Sequence, residues 1–99
     1  MSNRNGIKSE LTDNLFKAIL SLKNIEECYD FFEDICTIKE VKDMAQRLQI
    51  AEMLLDGKTY DKIVKETEIS TATISRINRC IQYGPGGYKN IIERIKEEE

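Results

Sequence analysis

Apolar side chains recur three and four residues apart along the chain, and no stretch alternates apolar and polar positions between hairpin turns. That pattern predicts an all-α fold. Leu11, Leu15, Ile19 and Leu22 keep helical spacing, and Phe16 and Leu20 widen their stripe. A first helix over Ser9–Leu22, apolar on more than one side, follows. Asn24 with Glu27 is a variant capping box, opening a second helix that carries Ile25, Cys28, Tyr29, Phe32 and Ile35 on its buried side. Thr37 and Glu40 make a full capping box, in which the hydroxyl accepts one N–H and the carboxylate the other. The long helix it opens runs through Val41, Met44, Ala45, Leu48, Ala51 and Leu55 to Asp56, with Gly57 as its left-handed stop. Two short segments follow, Tyr60–Thr67 and Thr71–Gln82, before the break at Gly84-Pro85-Gly86-Gly87. A last helix over residues 88–99 docks through Tyr88, Ile91, Ile92 and Ile95, and its charged end, residues 96–99, is expected to fray.

At 99 residues the chain is expected to form one domain. Residues 1–8 are expected to be unordered, residues 9–56 to supply dimerisation helices, residues 59–82 a helix-turn-helix and residues 88–99 a C-terminal helix. The wide apolar arcs of the first and third helices exceed what a monomer of this size needs to bury, so a homodimer with a shared core is expected. The composition, 40% hydrophobic and 33% charged, fits a soluble folded domain. No apolar run exceeds three residues, far short of the ~20 that span a bilayer. The first ten residues lack an export signal, so a cytoplasmic location is expected, with no membrane partner.

The absence of His and Trp removes imidazole catalysis and His-containing metal sites. Cys28, Cys36 and Cys80 are odd in number and contain no C-x-x-C pair, which fits neither a disulfide framework nor a zinc site. No catalytic constellation remains, and neither enzyme activity nor a metal or cofactor is expected. The net charge of −3 argues against a nucleic-acid partner until it is divided. Residues 1–56 hold 7 basic and 11 acidic side chains, residues 57–83 hold 5 and 3, and residues 84–99 hold 3 and 4. The positive segment therefore coincides with the two short helices, and Ser70–Tyr83 carries Arg76 and Arg79 with no acid.

Thr59–Cys80 has the spacing of a helix-turn-helix. Ile63, Val64, Ile69, Ile74 and Ile77 supply the apolar positions on which two short helices cross, and Ser70 caps the second by accepting the N–H of Ala72 or Thr73. At 100° per residue, Ile74, Ile77 and Ile81 share one side, leaving Ala72, Ser75, Arg76 and Arg79 on the other. That small, hydroxylic and basic face suits a helix that enters a major groove of double-stranded DNA. The candidate contacts are Tyr60, Lys62, Ser70, Thr71, Ala72, Thr73, Ser75, Arg76 and Arg79. The alternative is an αα-hairpin buried in a core. Glu68 counts on that side, because it occupies the turn position that Gly usually takes in a left-handed conformation.

The block QRLQIAEMLLDGKTY, Gln46 to Tyr60, leading into STATISR, Ser70 to Arg76, with Pro85 beyond it, resembles the Trp repressor superfamily, and most closely its YerC/YecD-type branch. The resemblance spans Thr37 to Ile95. It implies a six-helix protomer, an intertwined homodimer and a sequence-specific DNA-binding regulator of repressor type. In the Trp repressor, tryptophan lies between two arginines whose positions match Arg47 and Arg76, and Thr37 matches a neighbouring hydrogen-bonding residue. With Ile77 and Cys80 these form a candidate effector pocket. Ile77 stands where the repressor has Gly, and Cys80 where it has Ser, so tryptophan is not expected as corepressor. Two alternatives stay open: a scaffold for protein–protein interaction, and a regulator sensing a small carboxylate other than tryptophan. Arg47 and Arg76 could equally be solvated or phosphate-contacting side chains.

Overall fold

The computed structural model describes residues 6–98, and the N-terminal expectation therefore lies mostly outside the described residues. Those residues form six helices and no strand: α1 (Glu10–Leu20), α2 (Ile25–Ile35), α3 (Ile38–Leu55), α4 (Tyr60–Thr67), α5 (Thr71–Tyr83) and α6 (Gly87–Glu98). The all-α, six-helix architecture read from the periodicity is the one observed. Among the described residues no helix is long and apolar enough to cross a membrane. By contact density the chain divides into two compact units, Met1–Lys42 and Asp43–Glu99, with the division falling inside α3.

In the first unit local capping sets the helix ends. The Ser9 hydroxyl accepts the Thr12 N–H at 3.0 Å and starts α1. Its end comes earlier than Leu22, because the Ser21 hydroxyl donates to the Ala18 carbonyl at 2.6 Å and the Leu22 N–H reaches Ile19 three residues back. This tightened last turn leaves Leu22 outside the helix. Asn24 accepts the Glu27 N–H at 2.8 Å, and the Glu27 carboxylate returns to the Lys23 N–H, one residue before the cap, rather than to Asn24. At α3 the capping box is reciprocal: Glu40 N–H to the Thr37 hydroxyl at 3.1 Å, Thr37 N–H to the Glu40 carboxylate at 2.8 Å. Donation from the Thr37 backbone holds the Glu40 carboxyl below its ordinary value. The cap therefore favours the fold above the usual carboxylate range and loses that contribution as pH falls through the lowered value.

Neither α1 nor α2 contains a buried residue. Leu11, Leu20 and Ile25 are 86%, 84% and 74% exposed, and Phe16, Tyr29 and Ile35 are exposed as well. Leu15, Ile19, Phe31 and Phe32 are half-buried, so among the described residues these wide apolar stripes are only partly covered.

The second unit holds the core, made of Ile50, Ala51, Met53, Ile63, Ile74, Ile77 and Ile92. Leu48, Leu54, Val64, Ile69, Ile81 and Tyr88 pack around it. α3 ends in a Schellman arrangement, with Gly57 at φ 86°, its N–H on the Leu54 carbonyl and the Lys58 N–H on that of Met53. α4 packs on α5, and α5 on α6. Of the face expected on α6, Ile92 is buried, Tyr88 half-buried, and Ile91 and Ile95 remain exposed. The expected fraying does not occur within the described residues. α6 stays helical to Glu98, and the Lys96 ammonium reaches the Asp56 carboxylate at 2.6 Å, which draws the Asp56 carboxyl below its ordinary value. Residue 99 lies outside the described residues.

Candidate nucleic-acid interface

The turn between α4 and α5 is three residues long, and the Glu68 and Ile69 N–H groups each find a local acceptor. Glu68 adopts the left-handed conformation, φ 60° and ψ 19°, and its N–H closes α4 on the Val64 carbonyl at 2.8 Å. The turn thus keeps the backbone shape that Gly would supply, at a conformational cost of about 1 kcal/mol for a side chain in that region. The Thr67 hydroxyl links the elements, donating to the Ile63 carbonyl at 2.7 Å and accepting the Ile69 N–H at 3.2 Å. Ser70 then caps α5, accepting the Thr73 N–H at 3.3 Å, and its hydroxyl donates to the Thr73 hydroxyl at 3.2 Å. Of the two donors expected for this cap, Thr73 is the one used.

α5 separates its faces as the helical wheel requires. Ile74 is fully buried and Ile77 is 3% exposed, both inside the core, while Thr71, Ala72, Arg76, Arg79 and Cys80 are exposed and Ser75 is half-buried. The same face forms a shallow concavity lined by Ala72, Ser75, Arg76, Arg79, Cys80, Tyr83 and Gly84. Small residues make its floor, and two guanidinium groups and a phenol stand on it. At the start of α4 the Thr59 hydroxyl accepts the Lys62 N–H at 3.2 Å, leaving the Lys62 side chain exposed, whereas Tyr60 is half-buried against the core. Ser70 and Thr73 serve the cap, so Thr71, Ala72, Ser75, Arg76, Arg79 and Lys62 are the candidates left unengaged by these hydrogen bonds.

The residues named for an effector pocket are described within their own units. Arg76 and Cys80 line the concavity, Ile77 points into the core, Thr37 is occupied as the cap of α3, and Arg47 is exposed on α3. Among the described residues no group of three or more Cys, Asp and Glu side chains could hold a metal ion.

Tyr83 belongs to this face and is absent from the sequence reading. It extends α5 one residue past the expected end at Gln82 and is 85% exposed. The signal was available: Ala72, Arg76, Arg79 and Tyr83 stand at i, i+4, i+7 and i+11, within an arc of about 60° on the wheel. Gly84 closes the face, because a Cβ there would run into the Cys80 carbonyl oxygen that accepts the Gly84 N–H.

The family model of the Trp repressor protein matches residues 10–96. YerC of Bacillus subtilis (strain 168), an uncharacterized protein, is 53% identical over 93 residues, covering 94% of this chain and 89% of that protein. The crystal structure of a TrpR-like protein from Eubacterium eligens ATCC 27750 superposes with a TM-score of 0.88 at 49% identity, over 93% of this chain and 95% of that one. A second crystal structure, from Staphylococcus aureus, gives 0.89 at 44% identity, over 97% and 96%.

Proposed function

The chain belongs to the Trp repressor family of helix-turn-helix DNA-binding regulators, and we propose that it is a dimeric, cytoplasmic transcriptional repressor that reads a palindromic operator through α5. One observation carries the reading. The exposed face of α5 is small, hydroxylic and cationic, with no acidic residue anywhere on the helix, in a chain whose net charge is −3. A helix of that kind approaches the polyanion without repulsion, sets Ala72 and Ser75 against base edges and places Arg76 and Arg79 toward phosphates. Two copies related by a two-fold axis would address half-sites about 34 to 36 Å apart.

Fluorescence anisotropy with operator-bearing and random duplexes at two or more salt concentrations tests this. Arg79→Ala should weaken binding to every sequence and lower the salt slope by about one unit, the signature of a lost phosphate contact. Ser75→Ala should change which sequences are preferred. An Arg79→Ala protein with unaltered affinity and slope refutes the docking face.

The dimer is the finer part of the proposal. It is supported by the apolar surface that α1 and α2 leave uncovered, which a second copy can bury.

The regulator works without tryptophan. Ile77 fills core volume beside Arg76, and forcing a large ring into a filled site costs about 1 to 3 kcal/mol or more. Calorimetry with millimolar L-tryptophan should therefore give no saturable heat, and the ligand should leave DNA affinity unchanged. Ile77→Gly should gain weak binding if it folds. Saturable binding to the unaltered protein, with tighter DNA binding, would rule out the filled-pocket account.

A further inference from the structure

The stripe on α5 is longer than a major groove is deep, and its far end is an exposed phenol. Tyr83 lies eleven positions after Ala72, about 16 Å along a helix axis at 1.5 Å per residue. The major groove is about 8.5 Å deep and about 12 Å wide. A recognition helix sets its N-terminal residues against base edges. If Ala72 lies at the floor of the groove, the last turn of α5 has already risen to the level of the sugar–phosphate backbone.

Three features of Tyr83 fit that position. It is 85% exposed although aromatic, so the described structure gives it no packing role. It is in line with Arg76 and Arg79 on the same face. Gly84 follows it without a side chain, at a position where a Cβ would strike the Cys80 carbonyl oxygen, so the chain turns away and leaves the phenol clear at the helix end.

We infer that Tyr83 is a backbone-positioning residue for DNA, its phenolic O–H donating to a phosphate oxygen at the edge of the groove entered by α5. The inference rests on the DNA-binding reading and adds a contact without charge. A neutral O–H on a phosphate is a charge-assisted hydrogen bond that fixes register and carries no base information. Because it neutralises no phosphate, it releases no counterion and leaves the salt slope alone, unlike Arg79.

The test compares Tyr83→Phe and Tyr83→Ala with the unaltered protein by anisotropy, on operator and random duplexes over a salt series. Thermal melts and sedimentation of each variant accompany the titrations. Both substitutions should weaken binding about tenfold, from the loss of one hydrogen bond to a charged group. The loss should be equal on all sequences, with unchanged salt slope, melting temperature and oligomeric state. Three outcomes overturn the inference. Full affinity in Tyr83→Ala removes the contact, a loss confined to certain sequences makes it a base contact, and a fall in melting temperature or dimer content moves Tyr83 into a subunit interface. Failure of the unaltered protein to bind any duplex would instead overturn the DNA-binding reading itself.

Discussion

Leu20→Glu is expected to convert the proposed dimer into a poorly structured monomer. Leu20 is 84% exposed on α1, one turn after the exposed Phe16, Leu11 on the opposite side of the helix is 86% exposed and Ile25 of α2 is 74% exposed, and no residue of α1 or α2 is buried. Water in contact with that much apolar surface is the driving force for association. Full burial of one leucine contributes about 1.5 to 3 kcal/mol, and a two-fold axis makes every contact count twice. A single substitution therefore removes about 3 to 6 kcal/mol per dimer, before the cost of setting a carboxylate in an apolar interface. Against a typical folding stability of about 5 to 15 kcal/mol that is enough to uncouple the subunits, and the monomer would lack the shared core. Analytical ultracentrifugation with far-ultraviolet circular dichroism should report monomer together with reduced helicity. A Leu20→Glu protein that sediments as a dimer and melts like the unaltered one would show that this surface is not the interface.

Ile74→Ala is expected to produce the second large effect, this time within a single unit. Ile74 is fully buried on α5, in the cluster with Ile50, Ile63, Ile77 and Ile92 that holds α5 against its neighbours. Removing its branched side chain costs the transfer free energy of the lost methyl groups and leaves a cavity, together about 2 to 5 kcal/mol. Ser75 is next in sequence but only half-buried, and no hydrogen bond to its side chain is seen among the described residues, so Ser75→Ala should shift stability by about 0.5 kcal/mol or less. Urea unfolding of the two variants side by side measures the contrast. A loss below about 1 kcal/mol in Ile74→Ala would mean that the cluster does not anchor the helix. Because α5 carries the proposed DNA face, DNA affinity should fall in step with the folded fraction as temperature rises, with sequence preference unchanged.

Much of the candidate site was legible because helix capping is a local chemistry. Thr37 with Glu40, Ser70 with Thr73, and Gly57 beyond α3 all act over three to five residues, and each is found doing what its spacing requires. The two-sided nature of α5 followed from its 100° periodicity alone. Tyr83 escaped because the expected helix stopped at Gln82, one residue short, and Glu68 read as an obstacle because sequence carries no record of a backbone conformation held in place by its surroundings. The Glu68 N–H bond to Val64 and the Thr67 hydroxyl on Ile69 hold that turn, and only the folded geometry displays them.

By itself the sequence determined the number and order of the helices, the polarity of their faces and most of their ends, since these depend on side chains within a turn or two of one another. Tertiary structure decided which apolar stripes became core. Among the described residues the buried cluster draws on positions between Ile50 and Ile92, while the equally regular stripes of α1 and α2 contribute no buried residue. Periodicity specifies that a face is apolar, whereas burial requires a complementary surface elsewhere, and no local pattern encodes where that surface will be. The end of α6 obeys the same rule: its charged residues read as a frayed tail until Lys96 meets Asp56, forty residues away in sequence and 2.6 Å away in space.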